Sequence, residues 1–202
     1  VGRVEFLYMY PLSFQEFLTA IDKEYLNDFL MNFQLQDSVP PVVHGQMLEL
    51  LRNYYFIGGM PEAVKEYAEK GALLGVQRIQ TELSTSIRTD FMKYGVKAEQ
   101  PYLTDAFMYI ARNTGKKIKY SNINSNVRSG VMKSAIDKLE RARIIHRIVH
   151  TTGRGVPLGG EIKPEHFKTA FIDIGLSNRI CGLELTDISE LLTIREGSLA
   201  EQ

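Results

Sequence analysis

Residues 101–154, PYLTDAFMYIARNTGKKIKYSNINSNVRSGVMKSAIDKLERARIIHRIVHTTGR, constrain the fold of this chain more than any other stretch. Leu103, Phe107, Ile110 and Ala111 recur at three- and four-residue spacing, which predicts an amphipathic helix from Pro101 with Thr104 as a cap just inside it. A basic link (Lys116, Lys117, Lys119) leads to a short helix over 120–124, and Ser125 or Asn126 is placed to cap a third helix. That helix has an inner face of Met132, Ala135, Ile136, Leu139 and Ala142, and an outer face of Arg128, Ser129, Lys133 and Asp137. The β-branched residues Ile144, Ile145, Ile148 and Val149 predict a strand, TTGRG a wing tip, and 168–174 a further strand. Helix, short helix, helix, strand and glycine-containing turn is the order of a winged helix-turn-helix.

The charge is divided along the chain. Residues 112–154 hold eleven Lys and Arg but only Asp137 and Glu140 as acids, so this segment is +9. The whole chain balances 24 basic against 24 acidic residues, which leaves the remainder at −9. A basic face on an acidic body is the footprint of polyanion binding. The same charges also serve as solvated helix faces or as stems packed around a core.

The preceding segment reads differently. Val4, Phe6, Tyr8 and Tyr10 alternate with Glu5, Leu7 and Met9, predicting a strand with apolar residues on both faces. Pro11 ends it and Ser13 can cap a helix running over 14–36, where Phe14, Phe17, Leu18, Ile21, Tyr25, Phe29 and Leu30 form a stripe. Pro40 and Pro41 break the pattern, 42–56 is a second helix, Gly58 and Gly59 turn, and Pro61 opens a third helix closed by Gly71. A long fourth helix ends at Gly95. No apolar run approaches the ~20 residues that span a bilayer. The single cysteine, Cys181, fits a reducing compartment, and the expected localisation is cytoplasmic.

The stretches GRVEFLYMYPLSFQEFL, YYFIGGMPEAVKEY, IRTDFMKYG, AIDKLERARIIHRI, FKTAFIDIGL and EGSLAEQ, in that order, resemble a family of prokaryotic AAA+-type ATPases. Those proteins have a P-loop core, a helical lid, a winged-helix segment and a C-terminal domain resembling PD-(D/E)XK nucleases. The resemblance implies a mainly α chain divided into 1–10, a residual strand of a missing ATPase core; 11–97, a helical lid-like subdomain; 98–182, a winged-helix domain with a small β-hairpin; and 183–202, a linker leading to a missing nuclease-like domain. It implies ATP and Mg for the full-length protein, with neighbouring ATPase and nuclease-like domains as partners. It places Arg3 where it could sense a phosphate, and Glu201 at an acidic position of the nuclease-like first helix.

Within the chain no catalytic pattern stands out. Gly115-Lys116-Lys117 lacks the first glycine (Ile110 stands there) and the hydroxyl residue of a phosphate loop. GRGVPLGG has Leu158 where a dinucleotide fingerprint needs glycine. His146 and His150 lack a third ligand on what reads as a strand, and Cys181 reads as a small buried residue. The expected function is nucleic-acid binding without cofactor or metal: Asn126, Arg128, Ser129 and Lys133 at a groove, and Lys117, Lys119, Tyr120, Ser121 and Arg154 on phosphates. Few of these side chains read bases, so weak sequence preference follows. The alternative is a regulatory module whose basic face docks on another protein domain.

Overall fold

Ser13 starts the first helix as its sequence predicts: its hydroxyl accepts from the Glu16 N–H at 3.3 Å, while the Glu16 carboxylate accepts from the Ser13 N–H at 2.7 Å. This reciprocal cap satisfies two donors that a helix start leaves open. The structure, a computed structural model, describes residues 2, 5–94, 97–151 and 162–190. It is mainly helical with one small antiparallel sheet.

The predicted helix over 14–36 is two helices, α1 (Phe14–Ala20) and α2 (Glu24–Asn32). The break is a Schellman turn with Asp22 in the left-handed region at φ 57°. The Lys23 N–H donates to Leu18 O at 2.9 Å and the Asp22 N–H to Thr19 O at 3.2 Å. The predicted strand over 1–10 is not formed by its described residues: 5–10 are coil, with Leu7 91% and Met9 90% exposed. A lone strand leaves a row of backbone donors and acceptors without a ladder. This segment instead touches residues of the second half of the chain, with the Arg143 guanidinium 3.3 Å over the Tyr8 ring and the Tyr10 ring 5.7 Å from that of His146.

The next helices follow the prolines and glycines. α3 (Pro41–Ile57) and α4 (Pro61–Lys70) each begin on proline, Gly71 ends α4 in the left-handed region, and α5 (Leu73–Tyr94) follows. Phe17, Phe56, Ile57, Val64, Val76 and Ile79 form a first core between them. Gln80 is buried in α5 and its amide donates to the carbonyls of Phe56 and Ile57 at the end of α3.

The second half begins with a 3₁₀ turn (Lys97–Glu99) and α6 (Gln100–Arg112). Thr104 is not a cap; it lies inside α6 and its hydroxyl donates to Gln100 O at 3.0 Å. Then come β1 (Lys117–Ile118), α7 (Tyr120–Ile123), α8 (Ser129–Arg141), β2 (Ile145–Thr151) and β3 (Ile162–Phe171). The sheet order is β1-β3-β2, with Lys117 opposite Lys168, Ile148 opposite Lys168, and a register jump between Val149 and His150. This is the helix, helix, helix and β-hairpin plan expected of a winged helix-turn-helix, with a short first strand where the sequence suggested only a basic link. Phe107, Ile110, Ile118, Ile136, Leu139, Ile145, Phe167 and Phe171 fill its core.

The third strand ends at Phe171, three residues before its predicted end, because Asp173 caps a helix, α9 (Ile174–Ile180). Ile174 enters the first core and Leu176 the second. The Asn178 amide donates to Tyr55 O in α3 at 2.8 Å, and the Ser177 hydroxyl to Ala111 O in α6 at 2.9 Å. Asp173 is fully buried and accepts backbone N–H groups from its own helix (Leu176, 2.8 Å; Gly175) and from the turn between α3 and α4 (Gly59, 2.6 Å; Met60). Gly58 in that turn has φ +75°, and a Cβ there would stand 2.3 Å from the Asp173 carboxylate. Beyond α9, Leu183 and Leu185 pack on the first core, and Leu185–Glu190 form a 3₁₀ turn. Gly197–Gln202 and Glu201 lie outside the described residues.

Candidate nucleic-acid interface

α8 places the expected groove residues. Met132, Ala135, Ile136 and Leu139 are buried, so the opposite side of the helix is fixed in solvent, with Ser129 and Lys133 exposed one turn apart. Neither Ser125 nor Asn126 caps this helix. Arg128 occupies the cap position without a side-chain bond, and the Asn126 N–H donates to Asn124 Oδ1 at 3.0 Å in the preceding turn. Asn124 is itself tied to α6, its amide donating to Asp105 at 2.7 Å. α7 packs against α8 and brings Lys119, at its cap, and Ser121 to the same module, both exposed; Lys117 is exposed on the adjoining β1.

Tyr120 departs from expectation. It is half-buried, its ring lies 5.2 Å from that of Phe167, and its hydroxyl accepts from Arg147 Nη1 at 3.4 Å. It joins α7 to the sheet and is not turned out toward a phosphate. Arg154 and Arg3 lie outside the described residues.

The electrostatics turn on Arg147, a residue of β2. Its Nη2 is bonded to both Asp137 Oδ1 and Glu140 Oε2, the second at 2.7 Å, and its guanidinium carbon lies 5.3 Å from the Phe167 ring. Burial works against its charge, but the bond from Asp137 and the charge of Glu140 outweigh that and raise its pKa further. Those two acids are the only ones in the +9 segment. Glu99, outside the segment, pairs with Lys138, and Arg143 is stacked on Tyr8. Lys117, Lys119, Arg128 and Lys133 are exposed and make no ion pair among the described residues. Beside them the sheet has a shallow groove lined by Lys117, Ile148, Val149, His150, Phe167 and Lys168.

Other candidate chemistry does not assemble. His146 meets Tyr10, and the described residues contain no group of three His, Cys, Asp or Glu able to hold a metal ion. Cys181 is exposed at the end of α9, not buried, because Ser177 and Asn178 take the inward positions of that helix. Among the described residues no helix is long and apolar enough to cross a membrane.

Two signals for the missed residues are present in the sequence. Asp137 and Glu140 lie three apart on one helix face, a spacing that suits a single shared cation. Asp173 precedes Ile-Gly-Leu directly after a strand, the position of a helix cap.

In comparison with known proteins, residues 48–187 match a family described as a domain of unknown function (DUF8612). No curated protein and no solved structure matches the chain.

Proposed function

The chain belongs to the DUF8612 family, and we propose that it is a non-catalytic winged-helix module that holds nucleic acid with weak sequence preference. The observation that carries this reading is the set of exposed cations Lys117, Lys119, Arg128 and Lys133 on β1, α7 and the first turns of α8, without an ion pair among the described residues, beside a helix whose own two acids are both bonded to Arg147. The lysines grip phosphates at any sequence, whereas Arg128 and Asn126 alone suit base edges. Binding to a mixed-sequence duplex DNA, followed by anisotropy across a salt series, is expected to fall linearly in log–log form, each phosphate contact contributing about 0.9 to the slope. Arg128→Glu and Lys133→Glu each weaken binding about tenfold at moderate salt and flatten that slope. No binding at low salt, or reversals without effect, overturns the reading.

A second reading, docking to neighbouring protein domains such as the ATPase and nuclease-like domains of the resembled family, is favoured by a different surface. Phe6, Leu7, Met9, Met31, Leu35 and Val42 are large, apolar and exposed near the start of the chain. Exposed apolar side chains of this size suit a protein partner and leave the cations of the winged half for nucleic acid.

A further inference from the structure

We infer that Arg147 is a positioning residue for nucleic-acid binding: it engages Asp137 and Glu140 of α8 and so keeps Lys133 free for phosphate. The inference rests on the nucleic-acid reading above and deepens it.

The argument starts from helix spacing. Asp137 lies four residues after Lys133 and four before Arg141 on α8. Pairs at that separation are neighbours on a helix surface, so an unoccupied Asp137 would be drawn onto Lys133 or Arg141. Lys133 makes no such pair. Asp137 is instead bonded to Nη2 of Arg147, which enters from β2, and the same nitrogen takes Glu140 at 2.7 Å. The Arg147 side chain is only 12% exposed, against 31% for Asp137 and 41% for Glu140. The cation is thus held beneath the two acids, with Tyr120 and Phe167 on its other sides. A guanidinium in that position is poorly placed to touch phosphate itself, but it offsets one of the two carboxylate charges that would repel phosphate beside Lys133. α8 then offers a polyanion Arg128 and Lys133 while both of its acids are bonded to Arg147.

The test uses the 202-residue chain and the same labelled duplex. Arg147→Met is expected to bind about fivefold to tenfold more weakly and to lose roughly one contact's worth of salt slope, although the side chain removed is largely buried. Adding Asp137→Asn and Glu140→Gln to Arg147→Met is expected to restore affinity to the wild-type level or above, because the exposed carboxylates are then gone. The triple variant also removes the unpaired acids that could prevent Arg147→Met from folding, and thermal unfolding of each variant accompanies the titrations. Folded Arg147→Met that binds like wild type overturns the inference. A folded triple variant that stays five- to tenfold weaker than wild type also overturns it and makes Arg147 a direct contact. Absence of binding by the wild-type chain overturns the nucleic-acid reading, and this inference with it.

Discussion

Asp173 is a carboxylate with no solvent of its own. Burial raises its pKa from the ordinary 3.8 to about 6, while the N–H groups of Leu176, Gly59, Gly175 and Met60 pull the other way. Burial dominates because desolvation penalises the whole charge and each hydrogen bond returns only part of it. The same charge, after burial, pushes up the pKa of the Tyr54 hydroxyl, which donates to Leu12 O at 2.7 Å. The sign for stability follows from linkage. The folded state binds the proton more tightly than the unfolded state, so Asp173's contribution is complete below the unfolded pKa and is lost as pH rises through about 6. Urea unfolding at about pH 4 and about pH 7 is expected to show wild type losing on the order of 3 kcal/mol more than Asp173→Asn across that interval. Equal losses would mean that Asp173 titrates alike folded and unfolded. Asp173→Ala, which strands the N–H groups of Gly59 and Leu176, is expected to cost about 2–4 kcal/mol at about pH 4 and less at about pH 7.

At the scale of elements, what the sequence made legible was whatever local chemistry decides. Proline at Pro41 and Pro61, glycine at Gly71, and the spacing of Met132, Ala135, Ile136 and Leu139 act within a turn or two, and the corresponding helices form where expected. The break between α1 and α2 was not legible because Asp22 occupies a position where glycine is the usual sign. The stripe of apolar residues continues across it, so periodicity alone reads one helix. Left-handed backbone costs an aspartate roughly 1 kcal/mol relative to glycine, and Asp22→Gly is therefore expected to raise stability by about that amount, measurable as a higher urea midpoint at unchanged slope. A destabilised variant would show that the Asp22 side chain contributes more than its backbone costs. The two-residue β1 was missed for a related reason: its pairing with Phe167 and Lys168 is set fifty residues away. The interface divides in the same manner. Exposed cations on α8 could be read from helix phase, whereas the inward turn of Tyr120 and the capture of Asp137 by Arg147 depend on how β2 and β3 close over α7 and α8.

At the scale of the molecule, the boundary drawn near residue 97 does not divide the packing. Phe91 of α5 is buried with the winged-helix core, Leu83 borders both cores, and α9 sends Ile174 into one and Leu176 into the other. A chain with two cores joined only by a flexible link unfolds in two steps, whereas cores that share a helix and a buried carboxylate clasp lose both when either opens. The chain contains no tryptophan, so one introduced indole reports one core. Tyr67→Trp, beside the first core, and Tyr109→Trp, beside the second, are expected to give coincident urea transitions. Ile174→Ala and Leu176→Ala, each costing about 2–5 kcal/mol by cavity formation, are then expected to lower the midpoint seen by both probes. The decisive case is Leu176→Ala followed through Tyr67→Trp: its side chain touches only the second core, so a lowered midpoint there requires α9 to carry the loss across. If that midpoint stays put while the Tyr109→Trp signal moves, the halves fold independently and the clasp at Asp173 merely orients one on the other.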